Sequence, residues 1–335
     1  MNISYYLPSS IEDNQTFEAL GWPSKKIFAK TGIRQRHVSA PDETALDLAV
    51  KACEKLFADH AVERTSIDYI LYCTQSPDFI IPGNAGILQH RLGLPNAIGA
   101  VDINQGCTGY VYALSLAKGL LATDQAHSIL IVTADTYTKY IHPLDRANRS
   151  IFGDGASATL LKEKDTGNIG QFIFGTDGSG AQNICVKTSG LKYPKNPQTS
   201  IEHQDDSGNL RSEDNLYMNG SEVFSFTLEH VPQAVAAILV KHKLNMDDID
   251  HFVFHQANGF MLTHLRDKIG IPEEKFSICM EDTGNTVSST IPIVLSELIR
   301  TKTVKENDRV MLVSFGVGYS WAATILTYKT AEDKK

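Results

Sequence analysis

The sequence predicts an α/β protein assembled from two similar halves, residues 1–166 and 167–335. Two observations carry that reading. Short apolar, β-branched runs of strand length alternate with longer stretches of helical periodicity, the pattern of an α/β fold. The second observation is a faint internal repeat. Ile67-Asp68 before Tyr-Ile-Leu-Tyr matches Ile249-Asp250 before His-Phe-Val-Phe, at an offset of 182 residues. Ala113-Leu114-Ser115 matches Val294-Leu295-Ser296, and Ile129–Thr133 matches Val310–Ser314, both at an offset of 181. Each match is short; their common order and spacing mark a duplicated unit.

Along the first half, Thr44–Leu56 carries Ala45, Leu46, Leu48, Ala49 and Ala52 at helical spacing. Asp68–Cys73 reads as a strand, Gly83–Leu92 as a helix and Tyr110–Leu121 as another. Ile129–Thr133 is a β-branched strand core, and Ala156–Leu161 is a strand entered through the Gly153-Asp154-Gly155 turn. Gly190–Asp214 is polar and contains Pro194 and Pro197, which predicts a long surface loop. Helix resumes over Ser221–Lys241, a strand follows at Phe252–Phe254, and Val287–Ile299 reads as an apolar helix. Val310–Val313 and Ala322–Thr327 close the chain as two strands around a glycine-rich turn.

Composition bounds the function. A chain of 335 residues, 42% hydrophobic and 21% charged, can bury a large core. A formal charge of −8 argues against a nucleic-acid binder, which would carry a basic stripe. The N-terminus lacks the basic and then apolar pattern of a signal peptide, and no run of 18 apolar residues predicts a membrane span. Five scattered cysteines without a Cys-x-x-Cys fit reduced thiols in the cytosol better than a disulfide scaffold or a zinc site. The histidines show no metal-ligand spacing, so no metal is expected.

Three windows could carry chemistry. Cys107, in Gly106-Cys107-Thr108-Gly109, lies between an apolar run and a helix. A thiol on that turn meets the positive end of a helix dipole, which favours the thiolate, and the flanking glycines are expected to leave room for a substrate. The bland alternative is a buried structural cysteine. His255, in His255-Gln256-Ala257-Asn258, follows a strand at the edge where ligands bind in open α/β sheets; the alternative is a hydrogen-bonded core histidine. Asn285, in Gly284-Asn285-Thr286, lies on the entry to a helix, where an ordinary cap is the alternative. Phe315-Gly316-Val317-Gly318-Tyr319-Ser320-Trp321 precedes a β-branched run and not a helix, so a glycine hairpin aiming a backbone N–H into a site suits it better than dinucleotide binding.

Together these windows resemble the β-ketoacyl-acyl-carrier-protein synthase III family. Supporting stretches are Thr31–His37, Asp145-Arg146, Phe152–Gly155 and Met218-Asn219-Gly220. The resemblance implies a thiolase-like fold, two duplicated halves in five αβαβα layers, and a homodimer. It implies that Cys107 accepts an acyl group from a thioester and that a malonyl thioester on acyl carrier protein then condenses with it, losing carbon dioxide. His255 and Asn285 would donate hydrogen bonds to the enolate oxygen, and the N–H groups of Cys107 and Gly318 would form the oxyanion hole. No organic cofactor is implied beyond the coenzyme A or carrier thioesters themselves.

Several positions depart from the family's usual residues. Lys26 stands where a tryptophan stacks on the coenzyme A adenine, Phe260 where a basic residue follows the His-Gln-Ala-Asn motif, and Ile81 where some members place an aromatic pocket residue. Arg146 and Asn258 keep the family's types and are coenzyme A contact candidates. These departures imply a donor other than acetyl-CoA, such as an acyl group on a carrier protein. For docking an acidic carrier, Lys25, Lys26, Lys30, Arg34 and Arg36 form one basic stretch and Arg146 with Arg149 a second. Two other readings remain open from the sequence. The acceptor could be an alcohol, an amine or an acetyl group, the last as in hydroxymethylglutaryl-CoA synthase, or the chain could be a non-catalytic partner of a ketosynthase.

Overall fold

A computed structural model describes residues 1–330. The first half opens with strand β1 (Asn2–Tyr6). Two short antiparallel strands follow, β2 (Ser10–Asp13) and β3 (Gln35–Val38), with helix α1 (Ser24–Thr31) between them. The chain continues through α2 (Ala45–Asp59), β4 (Tyr69–Cys73), α3 (Asn84–Arg91), β5 (Gly99–Ile103), α4 (Gly109–Ala122), β6 (Ser128–Asp135), α5 (Arg146–Arg149) and β7 (Gly155–Lys162). The second half contains β8 (Ile169–Thr176), the short strands β9 (Ile184–Val186), β10 (His203–Gln204), β11 (Leu210–Arg211) and β12 (Leu216–Met218), then α6 (Gly220–His242). It ends with β13 (His251–Phe254), α7 (Gly259–Ile269), α8 (Thr290–Arg300), β14 (Arg309–Gly316) and β15 (Ser320–Thr327).

Two sheets form the frame. One has the order β1-β7-β6-β4-β5 and the other β13-β14-β15-β8. In each, two parallel strands lie beside an antiparallel pair: β4 with β6 and β6 with β7, then β13 with β14 and β14 with β15. The repeat read from sequence is thus a repeat of topology, with β4 answering β13, α4 answering α8 and β6 answering β14. The edge strand β5 has only an isolated bridge, Phe252 with Phe276, as its counterpart.

Sequence explains why these segments adopt these states. Every residue of β6, Ser-Ile-Leu-Ile-Val-Thr-Ala-Asp, is buried, which suits β-branched side chains flanked by strands and covered on both faces. Helix α2 starts where Thr44 accepts from the Asp47 N–H and Asp47 accepts from the Thr44 N–H, a capping box. Its buried face, Leu46, Ala49, Cys53 and Leu56, packs on the outer side of the first sheet with Ile70, Val132 and Ala158. Helices α4 and α8 lie between the sheets, where Val111, Leu114, Ile291 and Leu295 pack with Ile131 of one sheet and Leu312 of the other. Helices α6 and α7 cover the far side of the second sheet through Val231, Val235, Leu262 and Leu265, against Phe252 and Val313. These are five layers.

The 23-residue α6 has the length and apolar composition to cross a membrane. It lies against β8, β14 and β15, which explains that composition as core packing. The 190–214 loop contains the small β10–β11 hairpin and is pinned to the segment before β7. There the Arg211 guanidinium holds the buried Asp145 and also Asp205, and Leu210 N–H donates to Leu144 O. Among the described residues all five cysteines are free thiols.

Candidate active site

Cys107 sits on the turn from β5 into α4 and is 8% exposed. The glycines around it do not leave open space, as the sequence suggested; neighbouring side chains fill it. A β-carbon on Gly106 would stand 2.5 Å from Gln75 Oε1 and 2.6 Å from Val317 Cγ1, and one on Gly109 would stand 2.1 Å from Cys73 Sγ. The turn is tied to the β14–β15 hairpin by Thr108 Oγ1 and Ser320 Oγ, 2.9 Å apart, while Ser320 Oγ donates to Val317 O at 2.9 Å.

The expectation of a resting thiolate does not hold. Burial pushes the Cys107 thiol up to about 12; a hydrogen bond from the Val317 N–H works against that, and the Asp135 charge adds to it. The helix N-terminus acts on a sulfur already removed from water, and desolvation wins.

His255 follows the last residue of β13, and its N–H donates to Val313 O at 2.8 Å. The ring is 1% exposed and stands edge-on to Phe315, centroids 5.5 Å apart. Burial lowers its pKa to about 3, so the imidazole is neutral at physiological pH. Nδ1 lies 2.7 Å from Thr290 Oγ1, which is itself 3.2 Å from Val287 O. If the hydroxyl hydrogen points to Val287 O, Nδ1–H donates to Thr290 and Nε2 keeps a free lone pair. If it points to Nδ1, Nε2 carries the hydrogen. Thr290 can satisfy both neutral tautomers.

Asn285 is fixed by its backbone, which donates to Ile151 O and accepts from Gly153 N–H. Its Oδ1 accepts from Val287 N–H at 2.9 Å, and Nδ2 reaches towards Ala257 O at 3.4 Å, two residues past His255. The expected helix over 287–299 begins with a 3-10 turn, Val287–Ser289, before α8. Val287 there has φ of +54°, a left-handed conformation rare for a β-branched residue. Cys107, Val287 and Phe315 belong to one buried cluster, to which Ala257 and Val317 attach. That cluster thus joins the turns that carry the sulfur, the imidazole and the carboxamide, which are distant in sequence.

Comparison with known proteins gives the family. A family model described as 3-oxoacyl-[acyl-carrier-protein] synthase III matches residues 101–178, and its C-terminal counterpart matches 239–328. The β-ketoacyl-[acyl-carrier-protein] synthase III of Clostridium perfringens is 35% identical, with 96% of each chain covered. The chain belongs to the β-ketoacyl-acyl-carrier-protein synthase III family. Its Synechocystis relative is 34% identical over 90% of this chain and 89% of the other. A crystal structure of a 3-oxoacyl-(acyl-carrier-protein) synthase III superposes with a TM-score of 0.94 at 49% identity, covering 98% of both chains. The Thermus thermophilus structure gives 0.87 at 34%, covering 99% of both.

In this synthase III family member the other expected residues divide. Lys25, Lys26 and Lys30 are exposed on α1. Arg34 is exposed but paired with Glu281 and Asp282. Arg36 is the clear correction. It is fully buried, donating to Asn14 Oδ1, Ser150 O and Glu12 O over the Phe17 ring, so it cannot belong to a docking surface. Arg149 is engaged with Glu12 and Phe17. Arg146 is exposed and donates to Ser207 O in the pinned loop, whereas Asn258 Oδ1 is committed to capping α7 through Met261 N–H. Phe260 is half-exposed and packs with tilted rings against Phe224 and His264. Ile81 is 87% exposed, beside exposed Phe79 and Ile80. Sequence reasoning missed Val317, Thr290 and the buried Asp135; their ordinary residue types give no signal without tertiary contacts.

Proposed function

We propose that this chain is a type III β-ketoacyl-acyl-carrier-protein synthase. It moves an acyl group from a thioester to Cys107 and joins it, with loss of carbon dioxide, to a malonyl group on acyl carrier protein. The observation that carries this reading is that the sulfur and the imidazole lie against one hairpin, β14–β15, and the carboxamide reaches the turn just after the imidazole. The Cys107 sulfur lies against Gly316, the His255 ring against Phe315, and the Asn285 amide near Ala257.

In the first half-reaction the neutral thiol attacks the acyl carbonyl while Nε2 of His255, in its lone-pair tautomer, takes the proton. That proton leaves with the departing thiol. The developing oxyanion is held by the N–H groups of Cys107 and Val317; losing one such donor costs a factor of order 10²–10³. In the second, His255 with hydrogen on Nε2 and the Asn285 amide donate to the thioester oxygen as carbon dioxide leaves. The enolate carbon attacks the acyl carbonyl, the carbon–sulfur bond breaks, and the departing Cys107 sulfur takes up one proton from solvent to return to the neutral thiol. The remaining bonds are made and broken among protein groups and the two thioesters.

Lys25, Lys26 and Lys30 supply the cationic surface for an acidic carrier. A second copy of the chain covers the open β5 edge, where Val101, Phe79, Ile80 and Ile81 leave apolar surface exposed. The enzyme works in the cytoplasm, on a donor other than acetyl-CoA. Intact mass after incubation with acyl thioesters tests the chemistry: one acyl group should be gained, and Cys107→Ala should abolish the gain. Carbon dioxide must then be released from malonyl carrier protein with a product two carbons longer. Acyl turnover onto an alcohol without carbon dioxide would refute the condensation, and acetyl-CoA as the best donor would refute the donor assignment.

A further inference from the structure

Asp135 ends β6 beneath the site, is wholly buried, and has no part in the chemistry above. Its Oδ1 accepts from Gln75 N–H at 2.8 Å; its Oδ2 accepts from Ser288 Oγ–H and, at 3.4 Å, from Ser288 N–H. Gln75 and Ser288 come from opposite halves of the molecule. The Gln75 side chain packs on Gly106, next to the nucleophile, and its Oε1 accepts from the Tyr137 hydroxyl. Ser288 lies three residues beyond Asn285. One carboxyl therefore grips both the turn beside Cys107 and the turn that carries the amide.

We propose that Asp135 is a positioning residue for the nucleophile: its buried carboxyl clamps the Gln75 turn, which packs on Gly106 beside Cys107, to the Ser288 turn beyond Asn285, and so governs how readily the sulfur reacts. The proposal rests on Cys107 being the nucleophile. The groups facing Asp135 are Tyr72 and Cys73 of β4, Cys107 at the head of α4, Tyr137 and Tyr140 after β6, and Asp154 before β7. All are acids or neutral groups, so none of them offsets a negative charge. Burial raises the Asp135 carboxyl to about 7, with the hydrogen bonds from Ser288 and Gln75 pulling it back. Its charge thus appears close to neutral pH, where it couples to the sulfur. Such a device keeps the thiol protected until a thioester and His255 together draw the proton away.

The test is the pH dependence of Cys107 alkylation by iodoacetamide in the full-length protein, followed by peptide mass with Cys107→Ala as the blank. In the wild type the logarithm of the rate should climb with pH, level off as Asp135 ionises near neutrality, and climb again. Asp135→Asn should climb without the pause and react roughly tenfold faster at pH 8, the effect of one pKa unit. Asp135→Glu, which keeps the charge, should restore the pause. An Asn variant with the wild-type profile overturns the proposal. If that variant does not fold, the wild-type curve decides: a single uninterrupted ionisation overturns the coupling. Alkylation needs no substrate, so failure of Cys107 to take an acyl group would sink the synthase reading and leave this test standing.

Discussion

Gly316 and Cys107 compete for the same volume: a β-carbon on Gly316 would stand 2.8 Å from both Cβ and Sγ of Cys107. The glycine also holds φ of +153°, a conformation that side-chain-bearing residues rarely adopt. This contact lets the Val317 N–H reach the sulfur. Gly316→Ala should therefore leave the fold cooperative but displace the thiol from its donor. The expected result is a loss of acyl-adduct formation of order 10²-fold, the cost of an oxyanion donor. Adduct formation within a few-fold of wild type, followed by intact mass, would show that the hairpin does not set the sulfur's position.

Much of this was legible beforehand, and the misses have physical causes. The repeat between Ile67 and Ile249 survives because both lead into buried strands, where the pattern of apolar residues is strict. Cys107, His255 and Asn285 stand in compact local motifs, so a linear reading singles them out as candidates. The ionisation of Cys107 was misjudged because a helix N-terminus shows in sequence, whereas the burial that outweighs it is created by Gln75, Val317 and Cys73 from elsewhere in the chain. Arg36 looked like part of a basic face because its neighbours are basic. Of the four residues of strand β3, Arg36 alone is buried.

The imidazole gives a prediction with a definite sign. With its pKa lowered to about 3 by burial, His255 stays neutral from pH 5 to 8. Decarboxylation of malonyl carrier protein by Cys107→Ala should be flat across that range; a fall below pH 6.5 that follows one protonation would contradict it. For stability, the unfolded chain protonates this histidine near 6.5 while the folded protein does not. Stability is therefore full above 6.5 and is lost as pH falls towards 3, by up to about 1.4 kcal/mol per unit. His255→Asn should make the acid limb of urea unfolding shallower by that slope.

Thr290 is the only side-chain partner of His255 Nδ1 among the described residues, and both are buried. Thr290→Val keeps the shape and removes the hydroxyl, leaving Nδ1 unpaired and the tautomer unset. Both half-reactions should slow by about 10–100-fold, the loss of a buried hydrogen bond of 1–3 kcal/mol. Thr290→Ser should recover most of the rate. If the Val variant retains full kcat in both half-reactions, the hydroxyl has no hand in orienting the ring.

The two basic candidates on either side of Ile33 should respond in opposite ways. Lys25 and Lys30 are exposed on α1, so reversing both to Glu removes attraction for an acidic carrier without touching the core. KM for malonyl carrier protein should rise several-fold at low salt, and the difference should shrink near 0.5 M salt as screening takes over. Acylation by a small thioester should be unchanged, and an unchanged KM for the carrier would remove α1 from the docking surface. Arg36→Ala should do the reverse. It leaves Asn14 Oδ1, Ser150 O and Glu12 O without their donor over the Phe17 ring, while the Glu12 carboxylate keeps its pair with Arg149. The expected loss is about 3 kcal/mol of stability in denaturant unfolding, the cost of buried acceptors left unpaired. In whatever fraction remains folded, KM for the carrier should match wild type, because a guanidinium sealed under Phe17 has no surface to offer.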